Sequence, residues 1–311
     1  MPEFDSSHSL GALSRSDIGA YLTEIRDLDA AAEFNRSPVA GQHALFAKKA
    51  YVHRGLILGY MAPNPAGSAN AVPVQGISQI KVNRDLIGQR IKITMDKFYV
   101  HDYPGSGTHK VLCEFIGKNQ VAGESEELRF ALRFETQDKG SAAITGAPIF
   151  MGVTVGSDGI SFEGRTVNLS SKNDEVILTA LDSPAFKNGL SLIEHAQPAL
   201  KPFAGLAKAV VQSLCSRSHN KQVHNFNLGL DFSDIATSAR LAYGSYVVVQ
   251  ADPDPERPWD WSRYVWNSDA MALQPQDPQV EEVDFNYMVF AIRPLSDEAA
   301  AQKPAKRGSR G

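Results

Sequence analysis

The stretch that decides the fold is residues 89–135, QRIKITMDKFYVHDYPGSGTHKVLCEFIGKNQVAGESEELRFALRFE. Apolar and polar residues alternate along it in three runs, which cover 91–100, 111–115 and 128–134. Successive side chains of a β-strand point to opposite faces, so a period of two predicts strands with one apolar face. We therefore expect three strands of one antiparallel sheet that is buried on one side.

Further strands are predicted on the carboxyl side of this stretch, at spacings of roughly ten residues with glycine-bearing turns between them. The first two are interpreted as a hairpin around the Ser-Asp-Gly turn at 157–159. The predicted strands cover 149–153, 160–169, 226–232, 246–250 and 285–292. The predicted fold class is therefore mainly β: an antiparallel β-sandwich of C2-like or jelly-roll-like two-sheet architecture, which by itself carries no function.

Helices are expected at two places. Apolar residues recur at helical spacing from an N-cap at Ser16 to about residue 35, which predicts an N-terminal helix. A helical period over 183–217 predicts an inserted helical pair. The expected organisation has three parts. Residues 1–75 are an N-terminal helix and connecting segment, with 1–14 as a mobile leader. Residues 76–295 are a β-sandwich domain that contains the helical insertion, and residues 296–311 are a disordered basic tail.

Composition narrows the partners that the chain can have. A net charge of −4 and a pI near 6.1 give no general attraction to nucleic acid or to an anionic membrane. The basic side of the predicted helix at 203–215 suits a membrane surface, but an apolar stripe of its width usually faces a protein core, so membrane contact is not favoured. A signal-peptide pattern and an apolar run of about 18 residues are both missing, so we expect a soluble cytoplasmic protein.

Compact chemical motifs are missing from the sequence. It contains no GxSxG elbow, no HExxH or CxxC pair and no EF-hand spacing of acidic residues. The two cysteines, Cys113 and Cys215, lie on the apolar faces of a predicted strand and a predicted helix, so we expect buried free thiols and no disulfide. No cofactor is expected from these patterns.

A first candidate site is the connection HDYPGSGTH at 101–109, which would join two paired strands. His101 and His109 would then lie opposite each other, with Asp102 near enough to orient one imidazole or to complete a divalent-metal site. Asp, Pro and Gly are also the residues that any tight turn uses, and histidines in an exposed hairpin need no ligand. We favour the ordinary turn and keep His101, Asp102 and His109 as the candidate metal ligands.

A second candidate site lies in the segment PDPERPWDWSRYVWN at 253–267, which contains all three tryptophans of the chain. Indoles beside carboxylates are typical of surfaces that bind sugars or protein partners. The same indoles would also suit a loop that caps a hydrophobic core, and we favour the cap. If any surface of this chain binds a ligand, we expect it to be formed by Trp259, Trp261, Tyr264 and Trp266.

Together these patterns predict a non-catalytic binding or protein-interaction module, with a protein partner or a carbohydrate-like ligand. One alternative is a hydrolase or metal-dependent enzyme that uses the connection at 101–109, since only this segment gathers titratable residues. Another is a module that associates with a membrane surface. The sequence leaves the identity of the ligand open.

Overall fold

The computed structural model describes residues 4–36, 49–64, 70–121, 124–170, 209, 212–214, 216, 220–254 and 258–295. Most of the predicted helical pair at 183–217, Cys215 and the whole tail at 296–311 lie outside these residues. Within the described chain no helix is long and apolar enough to cross a membrane.

Strands dominate the described residues, and every pairing between the named strands is antiparallel. The prediction of a mainly β, antiparallel fold is therefore confirmed. The strands are β1 (Leu56–Met61), β2 (Ala71–Pro73), β3 (Gln75–Gly76), β4 (Arg90–Val100), β5 (His109–Val121), β6 (Glu124–Thr136), β7 (Gly140–Ser141), β8 (Ala147–Thr154), β9 (Ile160–Asn168), β10 (Lys221–Leu230), β11 (Gly244–Gln250), β12 (Tyr264–Asn267), β13 (Ala272–Pro275) and β14 (Asn286–Pro294).

These described strands form three sheets. The largest has the order β3-β1-β11-β14-β4-β7, and β8 also pairs with β4. The second has the order β10-β9-β5-β6, and the third has the order β13-β12-β2. We refer to them as the seven-stranded, four-stranded and three-stranded sheets. The third sheet was not predicted: β2 lies in the predicted connecting segment, and β12 lies in the segment that contains the tryptophans, where prolines interrupt the apolar pattern.

The connection at 101–109 does not close a hairpin. β4 pairs with β14, β7 and β8, whereas β5 pairs with β6 and β9, so the chain changes sheets between Val100 and His109. The predicted hairpin of β8 and β9 is wrong for the same reason, because β8 pairs with β4 and β9 pairs with β5 and β10. Alternation predicts which side of a strand is buried, but it does not identify the neighbouring strand.

The amino-terminal region differs from its prediction in two ways. The single helix is two: α1 (Arg15–Glu24) begins after the N-cap Ser14, and α2 (Leu28–Asn35) follows a break at Arg26, where φ is +66°. The described part of the leader is packed against the body, since Phe4 and Leu10 are buried. Phe4 and Leu10 lie six positions apart in a mainly small and polar run and give no periodic signal, so the sequence showed no element there.

Two hydrophobic clusters lie on opposite faces of the seven-stranded sheet. Along β14, Met288, Phe290 and Ile292 join the first cluster, whereas Tyr287 and Val289 join the second. The first cluster also contains side chains of the four-stranded sheet, and the ring of Phe290 lies 5.7 Å from that of Phe115 and 5.5 Å from that of Phe162. Cys113 is buried in it as a free thiol, as predicted.

Candidate functional site

The segment at 258–267 covers the second hydrophobic cluster, and Trp261 is its anchor. Trp261 is 8% exposed, its Nε1 donates a hydrogen bond to the Leu58 carbonyl at 3.1 Å, and its ring lies against Gly59. A Cβ at Gly59 would come within 2.6 Å of the Trp261 ring, so glycine is required for this close approach. Trp261 therefore has the geometry of a core cap, the interpretation favoured from the sequence.

Trp259 and Tyr264 lie differently, at the edge of this cluster with part of each ring exposed. Their rings stack with centroids 5.4 Å apart and 20° between planes, and both rings meet Phe285 edge to face. Trp259 Nε1 is shielded from solvent and has no acceptor among the described residues. The sequence placed Trp259 and Tyr264 in one candidate surface, and the structure brings them together.

These rings form one wall of a cleft of about 730 Å³. We call it the aromatic cleft. Its described lining includes the first three residues of β1, residues 251–254 after β11, and residues within 258–264. The polar side chains of the lining are His53, Asp252, Asp254, Asp260, Arg263 and Asp284. Concave sites with aromatic walls and a few polar groups are the usual form of ligand pockets.

Asp252 and His53 are held together at one end of the aromatic cleft. The Asp252 carboxylate accepts hydrogen bonds from the backbone N–H groups of Arg54 at 2.8 Å and Gly55 at 2.9 Å, and lies 3.1 Å from His53 Nδ1. Burial would raise the pKa of Asp252, but these hydrogen bonds and the imidazole lower it overall. No signal in the sequence marks this pair, because its members lie almost two hundred positions apart.

Asp260 and Asp284 bring further negative charge to the aromatic cleft. Hydrogen bonds from the hydroxyl and backbone N–H of Ser262 lower the pKa of Asp260. Burial raises the pKa of Tyr264, and the nearby Asp284 carboxylate raises it further. The Tyr264 hydroxyl therefore stays neutral at physiological pH.

Trp266 does not belong to the aromatic cleft. Its ring makes no contact with the other two indoles within the described chain, and it lines a second cleft of about 670 Å³ with Met61 and Met271. In that cleft the carboxylate of Asp96 already accepts hydrogen bonds from Arg293 and Thr94. The four predicted aromatic residues thus divide among a core cap and two separate clefts.

Of the three predicted metal ligands at 101–109, two have side chains with hydrogen-bond partners of their own, and the side chain of the third has none among the described residues. His109 is buried and its Nε2 lies 2.8 Å from the carboxylate of Asp138, which the sequence had not singled out. Asp102 accepts from the backbone N–H of Tyr51 at 3.3 Å, and burial raises the pKa of Asp102. His101 Nδ1 is buried without a partner among the described residues.

Across the part of the chain that the structure describes, no group of three or more His, Cys, Asp or Glu side chains is arranged to hold a metal ion. His101, Asp102 and His109 are therefore not gathered as one ligand set there. Metal binding at this connection stays a prediction.

Comparisons with protein-family models, with curated proteins and with solved structures find no match to this chain. The case for function therefore depends on the geometry of the clefts.

Proposed function

We propose that this protein is a non-catalytic binding module whose ligand site is the aromatic cleft. Its scaffold would be a two-sheet β-sandwich formed by the seven-stranded and four-stranded sheets, with the three-stranded sheet added on one outer face. The cytoplasm remains its predicted location. The ligand would be a protein partner or a carbohydrate-like molecule.

One observation carries this proposal: the half-buried Trp259 and Tyr264 rings stack beside each other at the wall of a cleft that charged side chains surround. Rigid rings give a large contact area and lose little rotamer freedom on binding. Trp261, by contrast, is committed to the core below them, so it supports the wall and offers little contact surface.

The test compares two indoles of similar burial. The full chain is titrated with neutral hexasaccharides and with short capped peptides by calorimetry, and the best ligand is measured again with Trp259→Ala and Trp266→Ala. Removing an anchoring indole costs about 2 kcal/mol, so Trp259→Ala should weaken binding by roughly 30-fold. Trp266→Ala, which changes the other cleft, should retain binding.

Two results would contradict the proposal. One is that no probe binds at concentrations up to about 1 mM. The other is that Trp266→Ala abolishes binding while Trp259→Ala preserves it. Thermal denaturation of both variants shows that the proteins compared are folded.

A second candidate function is hydrolytic, and the His53–Asp252 pair favours it. His53 Nδ1 lies 3.1 Å from the Asp252 carboxylate and 3.2 Å from the Asp252 backbone N–H, which donates to it in one tautomer. In the other tautomer Nδ1–H donates to the carboxylate, and Nε2 is then an acceptor that can take a proton from water. His109 is less suited, because its side chain is almost fully buried against Asp138. Turnover of chromogenic esters or glycosides that His53→Gln abolishes would support this function, and the lack of such turnover would exclude it for these substrates.

A further inference from the structure

We infer that the aromatic cleft recognises a cationic side chain, an arginine or lysine presented by a protein partner. This inference depends on the proposed binding function, since it names the ligand class of the same cleft. It rests on the charge of the cleft, on aromatic rings over which no cation of the described residues lies, and on the difference between the two clefts.

The charge of the aromatic cleft is strongly one-sided. Apart from Asp254, which has a partner of its own, the described lining has three carboxylates, those of Asp252, Asp260 and Asp284, and one guanidinium, that of Arg263. On the formal count used for the whole chain, three negative charges and one positive charge leave a net charge of −2. The complete chain has a net charge of only −4, so the aromatic cleft holds a large share of the net negative charge. A cleft lined by one sign of charge raises the local concentration of ligands of the opposite sign.

The aromatic wall offers a second attraction to a cation. A cation over the face of Trp or Tyr is stabilised by the ring quadrupole, by about 0.5–2 kcal/mol depending on desolvation. Among the described residues, the cation–π contacts are those of Arg15 with Phe34 and of Arg165 with Phe4. Arg263 lines the aromatic cleft but makes no cation–π contact with Trp259 or Tyr264, so no cation of the described residues lies over these two rings.

The second cleft shows that the two clefts differ in charge more than in aromatic content. It too has an indole in its wall, Trp266, but its carboxylate is already paired with Arg293. A neutral ligand could bind to the aromatic wall of either cleft, whereas a cation would bind preferentially to the aromatic cleft. Charge complementarity therefore favours a basic peptide over a neutral oligosaccharide as the occupant of the aromatic cleft.

The experiment uses short capped peptides that contain two arginines and matched peptides in which citrulline replaces each arginine. Citrulline keeps the shape of the side chain but has no charge. Binding of the full chain to each peptide is measured by calorimetry at low and at physiological salt. The arginine peptide should bind at least about tenfold more tightly, and added salt should narrow the difference.

Charge variants test the site itself. Asp284→Asn and Asp260→Asn should each weaken binding of the arginine peptide several-fold, and an asparagine in place of Asp260 can still cap the short helix Trp261–Arg263 that follows it. Arg263→Gln should strengthen binding, because it removes the competing cation, an effect that simple destabilisation cannot produce. Asp158→Asn, on the exposed turn between β8 and β9, is the matched control and should leave affinity unchanged.

Equal affinity for the arginine and citrulline peptides would overturn the inference, as would a loss of affinity with Arg263→Gln. A neutral hexasaccharide that binds in a Trp259-dependent manner, while the arginine peptide does not bind, would refute the cationic ligand and leave the proposed binding function standing. Lack of binding by every probe would refute both.

Discussion

His224 should make the stability of this protein fall steeply in mild acid. The residue lies on β10, is 6% exposed, and has no hydrogen-bond partner for Nε2 among the described residues. Burial lowers its pKa to about 4, despite a hydrogen bond with the Gly55 backbone and the nearby Asp252 carboxylate, which act in the opposite direction. In the unfolded chain a histidine titrates near about 6.5.

The sign and size of the effect follow from proton linkage. Between about pH 6.5 and about pH 4 the unfolded chain binds a proton that the folded chain excludes, so the free energy of unfolding rises with pH. Each pH unit is equivalent to about 1.4 kcal/mol. Over this window His224 alone should remove about 3 kcal/mol of stability as the pH falls, a large share of the total for a typical domain.

The assay is urea-induced unfolding, followed by tryptophan fluorescence, at several pH values between about 7 and about 4.5 for the parent and for His224→Gln. As the pH falls, the unfolding free energy of the parent should decrease more than that of His224→Gln. Val223→Ala, which removes neighbouring buried volume and no titrating group, should stay offset from the parent by a constant amount. Parallel profiles for the parent and His224→Gln would refute the reasoning.

Three further outcomes are expected. Gly59→Ala should lower the free energy of unfolding by about 1–3 kcal/mol in urea unfolding. The double variant with Trp261→Ala should lose less stability than the sum of the two single variants, because the added methyl group then no longer clashes with the Trp261 ring. Glu114→Gln should cost about 3 kcal/mol in the same assay, since this fully buried carboxylate pairs with two arginines; a neutral result would mean that the buried charges are compensated elsewhere. In a Cys215→Ser background, Cys113 should resist a thiol reagent until urea unfolds the chain, because burial raises its pKa; rapid labelling of the folded protein would contradict this.

The strands were predictable because their local pattern is strong, but their pairing was not. The alternation from Arg90 to Val100 and from Lys110 to Phe115 correctly predicted β4 and β5. The connection between them, 101–109, contains the Asp, Pro and Gly of an ordinary turn. These residues suit a connection between two sheets as well as a hairpin. β4 pairs with β14, as well as with β7 and β8, and no local signal connects β4 and β14 across so many residues.

The candidate site was predictable only as a set of residue types. Three tryptophans within eight positions predicted aromatic surface, but not that Trp261 would insert over Gly59 while Trp259 stays at the edge. This division depends on a glycine from a distant part of the chain. His53 joins the cleft from an equally distant segment. Tertiary contacts of this kind leave no mark on the spacing of residues in one sequence.

The central place of β14 in the seven-stranded sheet has a consequence for biosynthesis. His101 bonds to Asn286 across 185 positions, and Trp261 bonds to Leu58 across 203, so the seven-stranded sheet lacks a central strand until 286–294 has been made. Until then β4 and β11 have unpaired edges, which are templates for association with other chains. Contacts of such long range also slow folding, because loop closure must precede them. The seven-stranded sheet therefore cannot be completed until residues 286–294 have left the ribosome, and the nascent form before that point is the state most in need of a chaperone.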